Sequence, residues 1–462
     1  MDDCAKHHLA LSLEEAQSLL SSPMVSLSVD SPCTTEHGIE VWTEEELNRR
    51  CDQYAQNPPE CGLWVPASGA ASRMFRPVED DLSVVVDMWA HRHSYGLGLM
   101  WERQMKEMDG ASEDPEILRL ALMTCMEGGD LPKGLVPFHG AGDQSEIETA
   151  LEAHVRFWHH EMGGGDVWFT VPPTWRFAME EHLAAHPSVA SSEIRIHMQL
   201  QDSDTDTPVL TANGDWFRRE DGTVLRRPGG HGALITNLET LSVPMVVIRN
   251  IDNAPSPFQS LLRRRWTRAM VQAMEEWRRE REALVSALES EESSSSSSRR
   301  ERAESWLSDQ FKDAGVLRDM SHADLMDWLT RPMRLVAVVR NEGQPGGGPC
   351  WVHAQNDEHG MIRRQIVEAI EFDVDQHSIL EKATHFNPVD MVCVPGNQPL
   401  VKFMDRSRFM VAKKQVQGVD ARVLEYPGLW NGAMSGWLTR FVEIPSACFQ
   451  PVKTVLDLRD RH

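Results

Sequence analysis

Short apolar, β-rich runs recur along this chain with helical stretches between them, and this alternation narrows its fold more than any other feature. The runs are Leu63–Pro66, Val167–Val171, Ile194–Met198, Val243–Ile248, Leu335–Val339, Gln365–Ile370, Met391–Val394 and Phe441–Ile444. Helical stretches such as Glu146–Met162 lie between several of them. Strands that alternate with helices need helices on the faces of a sheet to bury both apolar sides, so the expected class is α/β. The clearest helix runs from Leu262 to about Leu288, with Leu262, Trp266, Met270, Met274, Trp277, Leu284 and Leu288 near helical spacing. Its other face is dense in Arg and Glu, which reads as a solvated face with i,i+4 pairs rather than a nucleic-acid contact.

Residues 1–58 are polar, with helices expected at Leu13–Leu20 and Glu44–Tyr54, and read as an N-terminal helical extension. Ser293 to Ser298 is an unbroken serine run between Glu291-Glu292 and Arg299-Arg300. It has no apolar surface to bury, so a disordered loop is expected over about 290–302.

The chain has 462 residues, 41% of them hydrophobic, enough for a packed core of more than one domain. Its formal net charge of −24 disfavours nucleic acid and anionic membrane as partners. A polyanionic nucleotide would therefore need positive charge focused at one place. The 8 cysteines form no Cys-x-x-Cys and match no zinc spacing, which reads as reduced thiols in a cytoplasmic protein. The acidic start Met1-Asp2-Asp3-Cys4 carries no apolar signal segment, and no run of about 18 apolar residues suggests a membrane span.

Chemistry concentrates in a few places. Ser68-Gly69-Ala70-Ala71-Ser72-Arg73 directly follows the run Leu63–Pro66, in the order strand, small-residue loop, helix. Small residues let backbone N–H groups approach an anion, and a helix N-terminus adds favourable partial charge. Arg73 brings one fixed cation, and Lys133 of Leu131-Pro132-Lys133-Gly134 brings another. The loop is neither a Walker A nor a GxGxxG motif, and alone it also fits a plain tight turn. Pro228-Gly229-Gly230-His231-Gly232 leaves the backbone open to a flat base or ribose, with His231 able to donate or accept a hydrogen bond. Asp252 of Asn250-Ile251-Asp252-Asn253 follows a strand, where α/β folds place ligands, and suits Mg²⁺ held between phosphates. An Asx turn is its structural alternative.

Taken in order, these segments resemble the UDP-sugar pyrophosphorylases, nucleotidyltransferases with a Rossmann-like catalytic domain. The loop at 68–73 is similar to their Gly-Gly-x-Gly-Thr-Arg/Ser signature, Pro132-Lys133 to their Pro-Lys element, and Pro228–Gly232 to their Pro-x-Gly-His-Gly loop. Asp252-Asn253 resembles their metal-holding Asp-Asn, Gln365–Glu368 their Gln-Leu-Leu-Glu, Thr384–Asn387 their Phe-Asn-Thr-Asn, and Pro451-Val452-Lys453-Thr454 their Pro-Val-Lys-Thr. More narrowly, residues from roughly 60 to 458 resemble the bacterial DUF4301 proteins. Shared segments include Val65–Phe75, Arg227–Leu234, Asn341–Pro349, Thr384–Asp390 and Pro427-Gly428-Leu429-Trp430-Asn431-Gly432-Ala433-Met434.

The resemblance implies a Rossmann-like, GT-A-type nucleotide-diphospho-sugar transferase fold, a mixed sheet flanked by helices. It places the nucleotidyltransferase catalytic domain at 59–395 and a C-terminal region contributing Lys453 at 396–462. It implies a Mg²⁺-dependent reaction of a nucleoside triphosphate with a sugar 1-phosphate, giving a nucleotide sugar and pyrophosphate. In it Arg73, Lys133 and Lys453 neutralise phosphates, and Ser68, Gly69, Ala70, Ala71 and Ser72 cradle the triphosphate. Gly230, His231 and Gly232 face the nucleoside, Glu368 and Asn387 meet sugar hydroxyls, and Asp252 holds the metal.

Ser68 and Ala71 depart from the glycines of the pyrophosphorylases, which keeps open a nucleotide-binding regulatory module without turnover. A phosphate acceptor that is not a sugar is also open. The strings Asp202-Ser203-Asp204 and Asp204-Thr205-Asp206 fit the Asp-x-Asp of glycosyltransferases that use a nucleotide sugar, although both lie in a polar stretch that suits a solvated turn.

Overall fold

The computed structural model describes residues 9–21, 27–69, 71–109, 112–140, 147–186, 189, 193–290, 296–343, 347–354 and 360–459. The chain divides into two compact units, each assembled from segments distant in sequence. The first comprises Met1–Cys61, Gln201–Val247 and Arg268–Pro445, and the second Gly62–Leu200, Ile248–Thr267 and Ser446–His462.

The second unit is built on parallel strands. Gly62–Pro66 pairs with Gly165–Val171, which pairs with Ile194–Leu200. The first two are buried through most of their length, as their continuous apolar sequences require, while the third is mostly half-exposed and forms an edge. Because the strands run parallel, Pro66 and Thr170 stand side by side, and the segments after them leave from the same end of the sheet. That end is where α/β sheets bind ligands. Helix Ala150–Met162 presses Phe157 and Trp158 into the core with Trp64 and Phe169. A reciprocal capping box of Thr149 and Glu152 starts this helix, satisfying backbone donors that the helix itself leaves open.

The first unit carries a mixed sheet. Met333–Arg340 runs parallel to Leu438–Glu443 and antiparallel to Asp390–Val394 and His385–Phe386, and Leu438–Glu443 also pairs in parallel with Ile39–Glu40. The expected α/β architecture, a mixed sheet flanked by helices, is thus observed. Two antiparallel sheets accompany it. One joins Val29–Pro32, Gly348–His353 and Ile362–Val367. The other joins Met410–Val416, Val419–Glu425, Thr207–Thr211 and Arg226–Arg227.

The hairpin Met410–Glu425 escapes a reading based on apolar runs because one strand is polar, with Lys413, Lys414 and Gln415 exposed. Its turn, Gln417-Gly418, has both φ angles positive, at 52° and 75°, the twist that joins antiparallel strands in two residues.

The expected loop over 290–302 needs correction in part. Residues 291–295 lie outside the described ones, but Ser296–Ser308 is a helix. Its anchor is apolar, since Ala303 and Leu307 are fully buried. Arg299 adds a cap by donating to the carbonyls of Ala287 and Ser290, which end the long helix Ser260–Glu289 and would otherwise lack partners. The N-terminal helices stand at Leu13–Ser21 and Glu44–Gln56.

Candidate active site

The site residues read from the sequence fall into two groups, one within each unit. In the second unit, strand Gly62–Pro66 delivers the chain into the small-residue loop, which turns into a short 3-10 helix at Ser72–Phe75. Two backbone hydrogen bonds fasten this loop to the lysine segment. The Ala71 N–H donates to the Leu131 carbonyl at 3.0 Å, and the Lys133 N–H to the Gly69 carbonyl at 3.2 Å. Met74 and Phe75 anchor the far side by full burial, leaving Gly69, Ser72 and Arg73 exposed. Ala70 lies outside the described residues.

Ala71 takes φ −80° and ψ 1° and is buried, so the alanine at this point imposes no strain. Gly69 does not have the positive φ of the chain's other open glycines, such as Gly128 and Gly418. A Cβ on Gly69 would meet nothing within 4 Å. The folded chain therefore supplies no steric reason for glycine at 69.

The turn Asn250–Asn253 presents Asp252, whose main-chain carbonyl accepts the Val452 N–H at 2.8 Å. This fixes the C-terminal segment beside it. Lys453 Nζ then lies 2.8 Å from Asp252 Oδ2, and Lys133 Nζ reaches the same oxygen at 3.7 Å and the Val452 carbonyl at 3.5 Å. Oδ1 of Asp252 is buried without a hydrogen-bond partner. The side chains of Lys133 and Asp252 are 17% and 11% exposed, and that of Lys453 is 59% exposed. Burial holds the Lys133 ammonium below its ordinary value; Asp252 opposes this, while Lys453 and Arg73 reinforce it. Lys133 and Lys453 thus share a single carboxylate, with the Arg73 guanidinium near enough to Lys133 to repel it, leaving a local excess of positive charge in a chain of net charge −24. Such a site favours an anion.

Three further residues hold this group in place. Fully buried Arg263 donates to the Asn253 carbonyl at 2.9 Å, to the Asn253 side-chain oxygen, and to the Cys448 carbonyl at 2.7 Å. It therefore ties the Asp252 turn to the segment leading to Lys453. Arg156 grips the same turn further on, through the Pro255 carbonyl at 2.7 Å. Asp457 accepts the N–H groups of Lys453 and Thr454, in a capping box that fixes the main chain at 453–454. The pattern Thr454-x-x-Asp457 is a capping signature readable in the sequence, whereas nothing local distinguishes Arg263 from Arg264 and Arg265.

In the first unit, Gly230 sits at φ +82°, and a Cβ on Gly232 would lie 1.9 Å from the Pro427 carbonyl, so this loop needs its glycines for its own shape. His231 Nδ1 accepts the Leu429 N–H at 3.0 Å, and its ring stacks on Trp430 with centroids 4.5 Å apart at 16°. Nδ1 thereby keeps its lone pair, which places the proton of the neutral ring on Nε2. Glu368 packs against Gly347, and the Asn387 N–H donates to the Gly347 carbonyl at 2.9 Å. Burial raises the Glu368 carboxyl above the usual range, Glu371 adds to the rise, and Arg408 opposes it. The Asn387 side-chain oxygen is already taken by the Val389 N–H at 2.9 Å.

The Asp-x-Asp strings form a capped turn, in which Asp202 Oδ1 accepts the Asp204 N–H at 3.0 Å. Among the described residues no group of three or more His, Cys, Asp or Glu is placed to hold a metal, and no helix is long and apolar enough to cross a membrane.

Several solved structures are similar to this chain. A candidate UDP-N-acetylglucosamine pyrophosphorylase from Entamoeba histolytica matches with TM-score 0.48 and 13% identity, over 94% of this chain and 84% of that one. A variant UDP-glucose pyrophosphorylase from Leishmania major, in complex with UDP-glucose, matches with TM-score 0.47 and 11% identity, over 96% and 73%. A UDP-glucose phosphorylase from Trypanosoma brucei matches with TM-score 0.46 and 13% identity, over 96% and 73%. No curated protein matches. The sequence matches the family described as "Domain of unknown function (DUF4301)" over residues 5–88 and 99–462, nearly its whole length, and the chain belongs to that family.

Proposed function

We propose that this protein is a nucleotidyltransferase that joins a nucleoside triphosphate to a sugar 1-phosphate, releasing pyrophosphate. The observation that carries the reading is the convergence of Lys133 and Lys453 on Asp252, next to Arg73 and a loop whose Gly69 is open to an approaching ligand. A reaction between two anions needs this kind of charge.

In this reading a phosphate oxygen of the sugar 1-phosphate attacks the α-phosphorus, and the bond to the departing pyrophosphate breaks in line. No side-chain nucleophile takes part, so positioning and charge neutralisation supply the acceleration. The loop at Ser68–Ser72 cradles the β- and γ-phosphates through those of its N–H groups that are not, like that of Ala71, already given to the Leu131 carbonyl. Arg73 and Lys133 offset charge on the triphosphate and the leaving pyrophosphate. Lys453, whose side chain is largely exposed, reaches the sugar phosphate. Gly230, His231 and Gly232 face the nucleoside, with His231 offering its Nε2–H. Glu368 accepts from sugar hydroxyls, and the Asn387 Nδ2 amide donates to one.

Asp252 fits a magnesium ion that takes most of its ligands from phosphates and water, since such an ion needs only one or two carboxylates and Oδ1 here lacks a partner. When bound, magnesium would supply charge neutralisation across the phosphates.

Lys133→Ala and Lys453→Ala test these assignments. Each should cost roughly 2–4 kcal/mol of transition-state stabilisation, about 30-fold to 1,000-fold in turnover, with melting temperature little changed. Full turnover in both variants would refute the roles given to them.

A further inference from the structure

The segment Pro427–Met434 has no part in the reaction as described, yet its glycine at 432 makes room for a charged side chain. A Cβ on Gly432 would lie 2.4 Å from Pro427 Cβ and 3.2 Å from Arg408 Cβ. The Gly432 carbonyl also accepts the Asp405 N–H at 2.9 Å, which fastens the short turn Arg406–Arg408 beside it. The Arg408 side chain runs from there into the interior, where it is 1% exposed. Its Nε donates to Glu371 Oε1 at 2.7 Å and its Nη2 to Glu371 Oε2 at 2.6 Å. Nη1 donates to Gln365 Oε1 at 2.9 Å, and Nη2 also to the Ile366 carbonyl at 3.2 Å. All of these acceptors lie within residues 365–371.

Glu371 passes this grip on. Its side chain is 7% exposed, and besides Arg408 its Oε2 accepts Asn431 Nδ2 at 3.1 Å and the Glu368 N–H at 2.8 Å. An ion pair buried this deeply is a poor source of stability, because the cost of removing both charges from water offsets much of their attraction. What it does supply is geometry, since a guanidinium is a planar fork of donors that fixes whatever it binds.

We propose that Arg408 and Glu371 are the positioning pair for the sugar-facing segment, with Arg408 holding Gln365 by its side chain and Glu371 holding Glu368 by its main chain. This rests on the nucleotidyltransferase reading, in which Glu368 meets sugar hydroxyls. Arginine offers only donors, so Gln365 Oε1 is committed to it and the Gln365 amide is fixed with its NH2 group turned away. Glu368 is fixed on its other side as well, since a Cβ on Gly347 would lie 3.1 Å from Glu368 Cα. The main chain that carries the Glu368 carboxylate is therefore set before any sugar arrives, and the ordering cost of binding falls accordingly.

Two substitutions separate positioning from bulk stability. Glu371→Gln has the same shape but one acceptor oxygen, where the structure uses both oxygens against Arg408, Asn431 and the Glu368 N–H. Arg408→Lys keeps a positive charge for Glu371, but one ammonium cannot reproduce the fork that also holds Gln365. Steady-state kcat and KM would be measured with Mg²⁺ for ATP, CTP, GTP, UTP and dTTP, and for glucose 1-phosphate, galactose 1-phosphate and N-acetylglucosamine 1-phosphate. Urea unfolding of each variant shows whether it is folded. Should Glu371→Gln not fold, Arg408→Lys, which keeps the buried charges balanced, decides.

Each folded variant should raise the sugar 1-phosphate KM by about tenfold, with the triphosphate KM within about twofold of wild type and kcat at saturation little changed. An unchanged sugar 1-phosphate KM in a variant that is measurably less stable would make the pair a structural one and overturn the positioning role. Equal effects on both substrates would overturn it too, while leaving the reaction itself standing. Turnover of no combination by the wild-type protein would sink the nucleotidyltransferase reading, and with it any role for Arg408 and Glu371 in placing sugar contacts.

Discussion

Lys453 Nζ stands 2.8 Å from Asp252 Oδ2, on the same oxygen that Lys133 approaches at 3.7 Å. One carboxylate thus steadies two ammonium groups, and a cation taken up by Asp252 must compete with a lysine already there. Lys453→Met removes that competitor. It should tighten Mn²⁺ binding by up to about fivefold, the scale of a partly exposed ion pair, while lowering turnover. Titration followed by electron paramagnetic resonance measures the first effect directly. An unchanged Mn²⁺ affinity would show that Lys453 and the metal do not share Asp252.

The lowered pKa of Lys133 gives a pH signature. Its folded value lies below its unfolded one, chiefly through burial and with help from Lys453 and Arg73 against Asp252. The cost of burying the ammonium is full below the folded pKa and is relieved as pH rises through it, so this residue's contribution to stability improves with pH. Activity should follow the opposite course, because the neutral amine no longer offsets phosphate charge. Turnover should fall as pH rises through the lowered pKa. Lys133→Arg, which stays charged, should move that alkaline limb upward. An identical limb in wild type and Lys133→Arg would assign it to another group.

The loop at 68–72 admits a test of what each small residue is for. Ala71→Gly, at φ −80° in a buried position, should destabilise by roughly 0.5–1 kcal/mol and bring no gain in activity. Gly69→Ala should leave the melting temperature unchanged, since its methyl meets no protein atom within 4 Å, but should weaken triphosphate binding by at least about tenfold. A Gly69→Ala protein that binds triphosphate like wild type would remove the loop from the site.

Arg263 should be felt in stability as well as in activity. Its loss strands the carbonyls of Asn253 and Cys448 in the interior, and each buried unsatisfied group costs about 1–3 kcal/mol. Arg263→Ala should therefore destabilise by about 3 kcal/mol in urea unfolding, with Arg263→Lys intermediate. A change below about 1 kcal/mol would mean that the turn bearing Asp252 holds itself.

Most of the elements read from apolar runs meet an observed strand, because a strand buried on both faces must be largely apolar, as Val246–Ile248 and Met391–Val394 are, whereas the run Gln365–Ile370 divides between the end of strand Ile362–Val367 and the turn Ala369–Glu371. The hairpin at 410–425 was not legible that way, since its exposed strand alternates with lysine and glutamine and its signal is confined to Gln417-Gly418. In the candidate site, Asp252, Lys133 and Lys453 were legible as short motifs, and the structure brings them to one oxygen. Arg263 was not. It acts by joining segments far apart in the chain, Asn253 to Cys448, and no local pattern records such a bridge. The serine run misled for a related reason. Ser296–Ser298 begin a helix whose stability comes from Ala303 and Leu307 further along.

The most direct test of the proposed reaction is pyrophosphate release by the purified protein with Mg²⁺, across ATP, CTP, GTP, UTP and dTTP against a panel of sugar 1-phosphates. Release that requires one triphosphate and one sugar phosphate together, and that is lost in Lys133→Ala, is the expected result. No release across the panel, with no triphosphate raising the melting temperature, would contradict a nucleotidyltransferase site built on Arg73, Lys133, Asp252 and Lys453.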